Sequence, residues 1–183
     1  MRGIPVWVHQ RPRPARYQRS ISTYRLKNLL SPRSVALVGA SPRDGSVGRA
    51  ILNNIRKAQF KGEFGLVNPR YPEIDGVAAA GSIGKLAFAP ELVVITAPAR
   101  SIAGLIDEAG RRGAAGTVIV SAGLGHGPGS LAEQAAQKYG MRLIGPNCLG
   151  IMMPGVSLPT YDVILGFISE VSLPKWKRIK GVK

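Results

Sequence analysis

Short apolar runs alternate along the chain with segments whose apolar residues recur at helical spacing. The runs are residues 34–38, 63–67, 91–96, 117–121 and 141–144. Runs of this length that end at glycine, proline, asparagine or a small polar residue are typical of buried parallel strands. Parallel neighbours must be joined by crossovers, which are usually helices. The pattern predicts an α/β fold: a Rossmann-like, doubly wound parallel sheet of about five strands in three layers.

The segments between the runs predict the helices. They are residues 47–58, 102–109 and 130–139, with a lead-in helical turn at 26–30. Ser101 is the expected N-cap of the second helix, and Ser130-Leu-Ala-Glu133 is a capping box that opens the third. Residues 71–89 show neither period. We predict a loop there, with one helical turn near 83–86.

The loop between the first strand and the first helix is the main candidate for binding chemistry. Gly39 can make a tight turn, while Gly45 and Gly48 permit close approach of backbone and ligand. Ser46 and Val47 would present N–H groups at a helix N-terminus, which favours anions such as a pyrophosphate. A glycine turn that binds nothing is the alternative. The position of the loop favours nucleotide binding, because phosphate-binding fingerprints lie between a strand and a helix.

The loop matches neither standard nucleotide fingerprint. Ser41 occupies the second glycine position of the dinucleotide pattern, and no Gly-Lys-Ser/Thr follows as in a P-loop. An NAD site also needs an acid after the second strand, where this chain has Asn68 and Arg70. Arginine suits a phosphate better than a free ribose diol. An NAD(P)-binding regulator or reductase therefore remains only as an alternative.

The net charge of +15 is distributed unevenly. Residues 1–33 contain eight Lys/Arg and no acid, whereas residues 34–160 contain twelve basic and eight acidic residues. We therefore predict a basic, disordered arm over residues 1–25 and a basic tail over 159–183. Nucleic-acid binding by the arm is the alternative, although the central region shows no basic face interleaved with aromatic residues.

The chain has one cysteine, Cys148. A single cysteine excludes an internal disulfide and suits a reducing compartment. No apolar run approaches the roughly 20 residues of a membrane helix, so we expect a cytoplasmic protein without a membrane partner. No partnering base is evident for a Cys148 nucleophile, which favours a small, buried, apolar role for this residue.

Five motifs occur in a family-specific order. They are SVALVGASP at 34–42, GSVG at 45–48, VNPR at 67–70, VVITAP at 93–98 and IGPNCLG at 144–150. Together they resemble the N-terminal CoA-binding domain of NDP-forming acyl-CoA synthetases, which is related to the alpha subunit of succinyl-CoA synthetase. The resemblance runs from about Leu26 to Pro154, and it sets the expected domain at residues 26–158.

The resemblance implies that CoA or acyl-CoA is the ligand, and it implies roles for matching positions. The residues expected around the CoA phosphates are Gly39, Ser41, Ser46, Val47 and Gly48. Those expected at the adenosine end are Asn68, Pro69 and Arg70. Those expected along the pantetheine arm are Thr96, Ala97, Pro98, Ser121, Ala122 and Gly123. Asn147 would lie towards the thiol, and Arg43 is either a further phosphate partner or a solvated loop residue.

The resemblance implies no catalytic residue or metal in this chain. The family passes a phosphoryl group through a histidine in a second domain, and His126 matches that histidine neither by position nor by domain. The resemblance fades by residues 157–158, so we expect a truncated or stand-alone CoA-binding module that is inactive alone. The alternative is a subunit of a split acyl-CoA synthetase, an acid–thiol ligase active with partner chains. Self-association is a further expectation.

Overall fold

The computed structural model describes residues 25–124 and 130–148, which form one sheet flanked by helices. The strands are β1 (Ser34–Val38), β2 (Glu63–Val67), β3 (Glu73–Ile74), β4 (Val77–Ala80), β5 (Leu92–Ile95), β6 (Gly116–Ile119) and β7 (Arg142–Ile144). The helices are α1 (residues 25–30), α2 (Val47–Lys57), α3 (Ala99–Arg111) and α4 (Leu131–Lys138), with a 3-10 helix at Ile83–Lys85.

The strand order is β3-β4-β2-β1-β5-β6-β7, and every pair is parallel except β3 with β4. All five predicted strands are present, and the α/β prediction is confirmed. The register aligns Val38 with Val67 on one side and with Ile95 on the other. The three central strands therefore end together, and the loops that follow them meet at one edge of the sheet.

Alternation along the strands builds two cores, one on each face of the sheet. On β1, Val35 and Leu37 face the core that α1 and α2 cover, while Ala36 and Val38 face the core under α3 and α4. All four side chains are almost fully buried. The sheet therefore lies between two helical layers, which confirms the three-layer architecture.

The prediction of a loop over residues 71–89 was wrong in part, because β3 and β4 form a hairpin there. Ile74 pairs with Val77 across a two-residue turn, Asp75-Gly76, whose φ angles are +49° and +78°. Asp-Gly is a preferred pair for such turns. The strands are too short to establish a period of two, so only the turn dipeptide marked them. The helical turn predicted near 83–86 is present as the 3-10 helix.

One predicted helix start was wrong, namely that of α3. Ser46 caps α2 and Ser130 caps α4, since each hydroxyl accepts a hydrogen bond from the backbone N–H three residues later. Ser101, however, lies inside α3, which begins at Ala99 after Pro98. Its hydroxyl donates to the Pro98 carbonyl at 2.7 Å. The helix begins earlier because proline is favourable at a helix start, where no intrahelical N–H bond is lost.

Three of the predictions concern residues that the structure does not describe. The basic arm up to residue 24, the tail over 159–183 and His126 lie outside the described residues. Among the helices of the described ranges, none has the length and apolar character needed to cross a bilayer.

Candidate ligand site at the carboxyl edge of the sheet

A cavity of about 600 Å³ opens at the carboxyl edge, where the loops after β1, β2 and β5 meet one face of α3. β1 lies between β2 and β5, so the chain winds to one side after β1 and later to the other. Such a topological switch point is where open α/β sheets bind ligands. The topology therefore places this cavity at the position expected for a binding site.

The cavity collects residues from three separate motifs. The predicted site residues that line it are Gly39, Ser41, Arg43, Asn68, Pro69, Arg70, Thr96, Ala97 and Pro98. The predicted residues that do not line it are Gly45, Ser46, Val47, Gly48, Ser121, Ala122, Gly123 and Asn147. The second group lies either in the remainder of the glycine loop and the start of α2 or in the loops after β6 and β7.

Glycine is required at two positions of the first loop because of backbone packing. A Cβ at Gly39, whose φ is +92°, would lie 2.9 Å from the Ala97 nitrogen. A Cβ at Gly48 would lie 2.6 Å from the Ala40 Cα. Gly48 thus lets α2 pack against the end of β1, which explains the glycine without a ligand. Gly45 has a φ of +69° and open space around it, so its requirement is conformational.

The N-terminus of α2 offers fewer donors than the sequence indicated. The Ser46 N–H already donates to the Arg43 carbonyl at 3.3 Å, so it is not a free donor. The first N–H groups of an α-helix have no partner within the helix, and Val47 and Gly48 occupy those positions here. These two N–H groups remain the candidates for an anion at the end of the glycine loop.

Asn68 braces two loops of the cavity. Its Nδ2 donates to the Ala40 carbonyl at 2.6 Å, and its Oδ1 accepts from the N–H groups of Arg70 at 2.8 Å and Tyr71 at 3.3 Å. The side chain is buried. Asn68 therefore holds Arg70 and Tyr71 in place beside the glycine loop.

Two hydroxyl groups link neighbouring loops in the same way. Thr96 Oγ1 donates to the Val38 carbonyl at 2.9 Å, and Ser121 Oγ donates to the Ala97 carbonyl at 2.6 Å. The Asn147 N–H then donates to the Ser121 carbonyl at 3.1 Å. The loops after β1, β5, β6 and β7 are thus hydrogen-bonded in series, and the hydroxyl oxygens can still accept a hydrogen bond from a ligand.

The cavity carries an excess of positive charge. Arg43, Arg70 and Arg100 line it together with one carboxylate, Glu108. None of the three arginines forms a salt bridge with a residue in the described part of the chain. A guanidinium presents several donors in a planar fork that matches phosphate oxygens. The cavity can therefore hold a polyanion at its mouth.

Helix α3 contributes a wall of the cavity that was not predicted from the sequence. Ser101, Leu105 and Glu108 follow one stripe of the helix and all line the cavity, as does Arg100. Spacing of four and then three residues is typical of one helix face. The spacing of Ser101, Leu105 and Glu108 is visible in the sequence. Because Ser101 was predicted to be the N-cap, it was placed before the helix, and this helix face was not identified.

An ion-pair network centred on α2 connects the glycine loop with the hairpin of β3 and β4. Arg49 donates to both carboxylate oxygens of Asp75, from Nε at 2.8 Å and from Nη2 at 2.9 Å, and it also pairs with Asp44. Hydrogen bonding to Arg49 lowers the pKa of Asp75, and the same pair raises the pKa of Arg49. Arg56 adds a bond to the Asp75 carbonyl at 2.5 Å. The hairpin turn is thereby tied to α2 and to the glycine loop.

Cys148 lies outside the cavity. It is partly buried and packs against the core that α1 and α2 cover, and its N–H donates to the Ile119 carbonyl at 3.4 Å. This position agrees with a packing role for the side chain.

Comparisons with known proteins point to one family. The CoA binding domain family matches residues 33–154. An ADP-forming acetate–CoA ligase from Archaeoglobus fulgidus is 35% identical over 175 residues, which are 86% of this chain and 25% of that protein. The alpha subunit of ADP-forming acetate–CoA ligase II from Pyrococcus furiosus is 35% identical over 133 residues, which are 69% of this chain and 29% of that subunit.

Solved structures agree with these relatives. An acetyl-coenzyme A synthetase from Ca. Korarchaeum cryptofilum, solved with phosphate and ADP, superposes with a TM-score of 0.66 at 28% identity. The alignment covers 78% of this chain and 30% of that one. The chain thus spans less than a third of the length of these relatives. The fold, the position of the cavity and the family match agree, and the chain belongs to the CoA-binding domain family, homologous to part of the ADP-forming acetate–CoA ligases.

Proposed function

We propose that this protein binds CoA in the cavity at the carboxyl edge of the sheet. The observation that carries the proposal is the lining of the cavity: three arginines without salt-bridge partners in the described ranges meet a glycine loop at the topological switch point. CoA carries a diphosphate and a 3′-phosphate, so its adenosine end needs several cationic partners. Membership of the CoA-binding domain family supports the same ligand.

The residues that line the cavity and those in the adjoining loops suggest a role for each part of the site. Arg43 lines the cavity, and the Val47 and Gly48 N–H groups lie outside its lining at the end of the same glycine loop; together they would hold the diphosphate. Arg70 and Tyr71 follow β2 and would meet the adenosine end. The loop at residues 96–98 and the neighbouring loop at 121–123 would flank the pantetheine arm, with Asn147 towards the thiol.

Isothermal titration calorimetry tests the ligand directly. We expect CoA to bind with micromolar or lower Kd, and pantetheine, which lacks the adenosine and its phosphates, to bind far more weakly. NADH is the contrast ligand, because it shares the adenosine diphosphate moiety but has neither the 3′-phosphate nor the pantetheine arm. Micromolar binding of NADH with no binding of CoA would contradict the proposal and favour an NAD(P)-binding regulator or reductase.

A second candidate function is that of one subunit of a split acid–thiol ligase. The specific support is that two relatives, both from Pyrococcus furiosus, are named alpha subunits of ADP-forming acetate–CoA ligases. Ligase activity would then require partner chains. The test is CoA- and ATP-dependent thioester formation from acetate, measured with this chain alone and after copurification with chains expressed from neighbouring genes. The role would be excluded if thioester formation by the partner chains were unchanged both when this chain is added and when its arginines are replaced.

The cytoplasm is the location that we assign to this function. The support is the single cysteine, which suits a reducing compartment. Fractionation of cells that express a tagged full-length chain tests the assignment, and recovery outside the cytoplasmic fraction would contradict it.

A further inference from the structure

The lining of the cavity combines two chemically different sets of residues. One set is Arg43 with the glycine-loop residues, and the other is Tyr71, Ser82, Leu105 and Glu108, on α3 and the segments that follow β2 and β4. Arg100 and Glu108 are eight residues apart on α3, which separates them by about 12 Å along the helix axis. The carboxylate is therefore displaced from the cation at the start of the same helix.

Glu108 is held in a defined orientation. Its Oε1 accepts a hydrogen bond from the Gly84 N–H at 2.8 Å, in the 3-10 helix that follows β4. Its Oε2 has no hydrogen-bond donor among residues 25–124 and 130–148. One oxygen of the carboxylate thus anchors the side chain, and the other is available to a donor in the cavity.

Two residues that line the cavity together with Glu108 suit an aromatic ring. Tyr71 keeps 39% of its surface exposed although it lines the cavity, and its backbone is fixed by Asn68. Leu105 lies one turn before Glu108 on the same stripe of α3. An exposed phenol ring and a leucine side chain favour stacking and apolar contact with a flat heterocycle.

We infer that Glu108 is a specificity-determining residue for a 6-aminopurine, accepting a hydrogen bond from the exocyclic amino group of the base. This inference rests on the proposed function, whose ligand carries adenine. The 6-amino group of adenine is a donor, while the 6-oxo group of hypoxanthine or guanine is an acceptor. A carboxylate attracts the first and repels the second, and hydrogen bonds to a charged group are stronger than neutral ones.

The test compares CoA with its hypoxanthine analogue, desamino-CoA, by calorimetric titration of the full chain. We expect wild type to bind CoA about ten- to a hundredfold more tightly than desamino-CoA. In Glu108→Gln the amide oxygen can still accept from Gly84, which leaves the NH2 group facing the base. This NH2 group can donate to a 6-oxo group, so the preference should fall below about threefold or reverse.

Two further variants separate base selection from structural effects. Asp107→Asn removes the neighbouring charge, but Asp107 is bonded to Lys138 and Tyr139 and lies outside the cavity, so the ligand preference should stay at the wild-type value. Tyr71→Ala should weaken both ligands by similar factors. Melting temperatures of all variants establish that each remains folded.

Binding of CoA with the same preference in wild type and Glu108→Gln, or with no preference in wild type, would overturn the assignment of Glu108 and leave the proposed function intact. Failure of wild type to bind either ligand would overturn the proposed function and this assignment together.

Discussion

The two edges of the sheet carry cavities of similar size but different chemistry. The cavity at the amino edge, between the loop before β1 and the turn after α2, is the larger at about 810 Å³, against about 600 Å³ at the carboxyl edge. Its charged lining residues are Arg33, Lys61, Glu63 and Glu91, which balance. The carboxyl-edge cavity has three arginines and one glutamate. Charge and topology, and not volume, therefore distinguish the candidate site.

The pairing of charges reinforces this difference. At the amino edge, Arg33 donates to Glu91 from Nε at 3.1 Å and from Nη2 at 2.8 Å, so the two groups neutralise each other. At the carboxyl edge, the guanidinium groups of Arg43, Arg70 and Arg100 have no carboxylate partner within the described ranges. Cations without acidic partners at a cavity mouth favour an anionic ligand, while paired charges serve the fold.

The largest expected effect comes from removing the carboxyl-edge cations. Each of Arg43→Ala, Arg70→Ala and Arg100→Ala should weaken CoA binding by roughly 10- to 100-fold, since a hydrogen bond to a charged group contributes about 1.5–3 kcal/mol. The triple variant should show no measurable binding. Calorimetric titration at low and high salt checks this, because an electrostatic contribution weakens with ionic strength.

Lys61→Ala is the matched control at the amino edge. Lys61 is exposed and lines the other cavity, so its loss removes the same charge from the same protein. We expect the Kd for CoA to stay within about twofold of wild type, as is usual for a distant exposed charge. Equal weakening by Lys61→Ala and Arg70→Ala would show that only the net charge of the protein matters.

An intermediate effect is expected from the brace at Asn68. Asn68→Ala removes three hydrogen bonds and leaves the Ala40 carbonyl and two N–H groups without their partner. We expect the free energy of unfolding to fall by roughly 1–3 kcal/mol, because buried polar groups that lose partners are costly. Urea unfolding measures the loss, and calorimetric titration should show weaker CoA binding, since Arg70 and Tyr71 are less well held.

Asn68→Asp separates the two functions of the brace. The carboxylate can still accept from the N–H groups of Arg70 and Tyr71, but it cannot donate to Ala40. If the position of Arg70 is what matters for the ligand, Asn68→Asp should retain more CoA affinity than Asn68→Ala. Greater loss in the aspartate variant would instead indicate that its charge repels the ligand.

The smallest effect concerns an ion-pair network that lines neither cavity. Asp107 on α3 accepts from Lys138 Nζ at 3.0 Å and from the Tyr139 hydroxyl at 2.8 Å, and these bonds lower the pKa of Asp107. A carboxyl with a lowered folded-state pKa stabilises the protein above its unfolded pKa, and the contribution is lost as pH falls through the folded value. Wild type should thus melt above Asp107→Asn near pH 7, and the difference should shrink progressively once pH falls below the ordinary value of 3.8 towards the lower folded-state pKa.

Melting curves from pH 7 down to pH 3 measure this difference. The affinity for CoA at neutral pH should be the same in both proteins, because Asp107 does not line the cavity. A difference in melting temperature that is independent of pH would contradict the role of the carboxylate charge.

Much of the fold could be predicted from the sequence because local patterns encode it. The five apolar runs became strands, with ends displaced by at most two residues, and the glycine loop lies between β1 and α2 as predicted. The hairpin of β3 and β4 was missed because its strands are too short to show a period, although Asp75-Gly76 marked its turn. The start of α3 was misplaced because Ser101 satisfies a capping pattern that Pro98 makes unnecessary.

By itself, the sequence determined the α/β class, the order of the five predicted strands and the helices between them, and the motifs at Gly39, Asn68 and Thr96, because apolar periodicity and turn residues act over a few positions of the chain. Only the tertiary structure decided what those residues do. The register of β2, β1 and β5 brought their loops together. Asn68 and Thr96 thereby form hydrogen bonds to Ala40 and Val38, and Gly48 packs against Ala40. The tertiary structure also placed Arg100 and Glu108 on the wall of the cavity. Such roles depend on contacts between residues distant in sequence, which no local pattern contains.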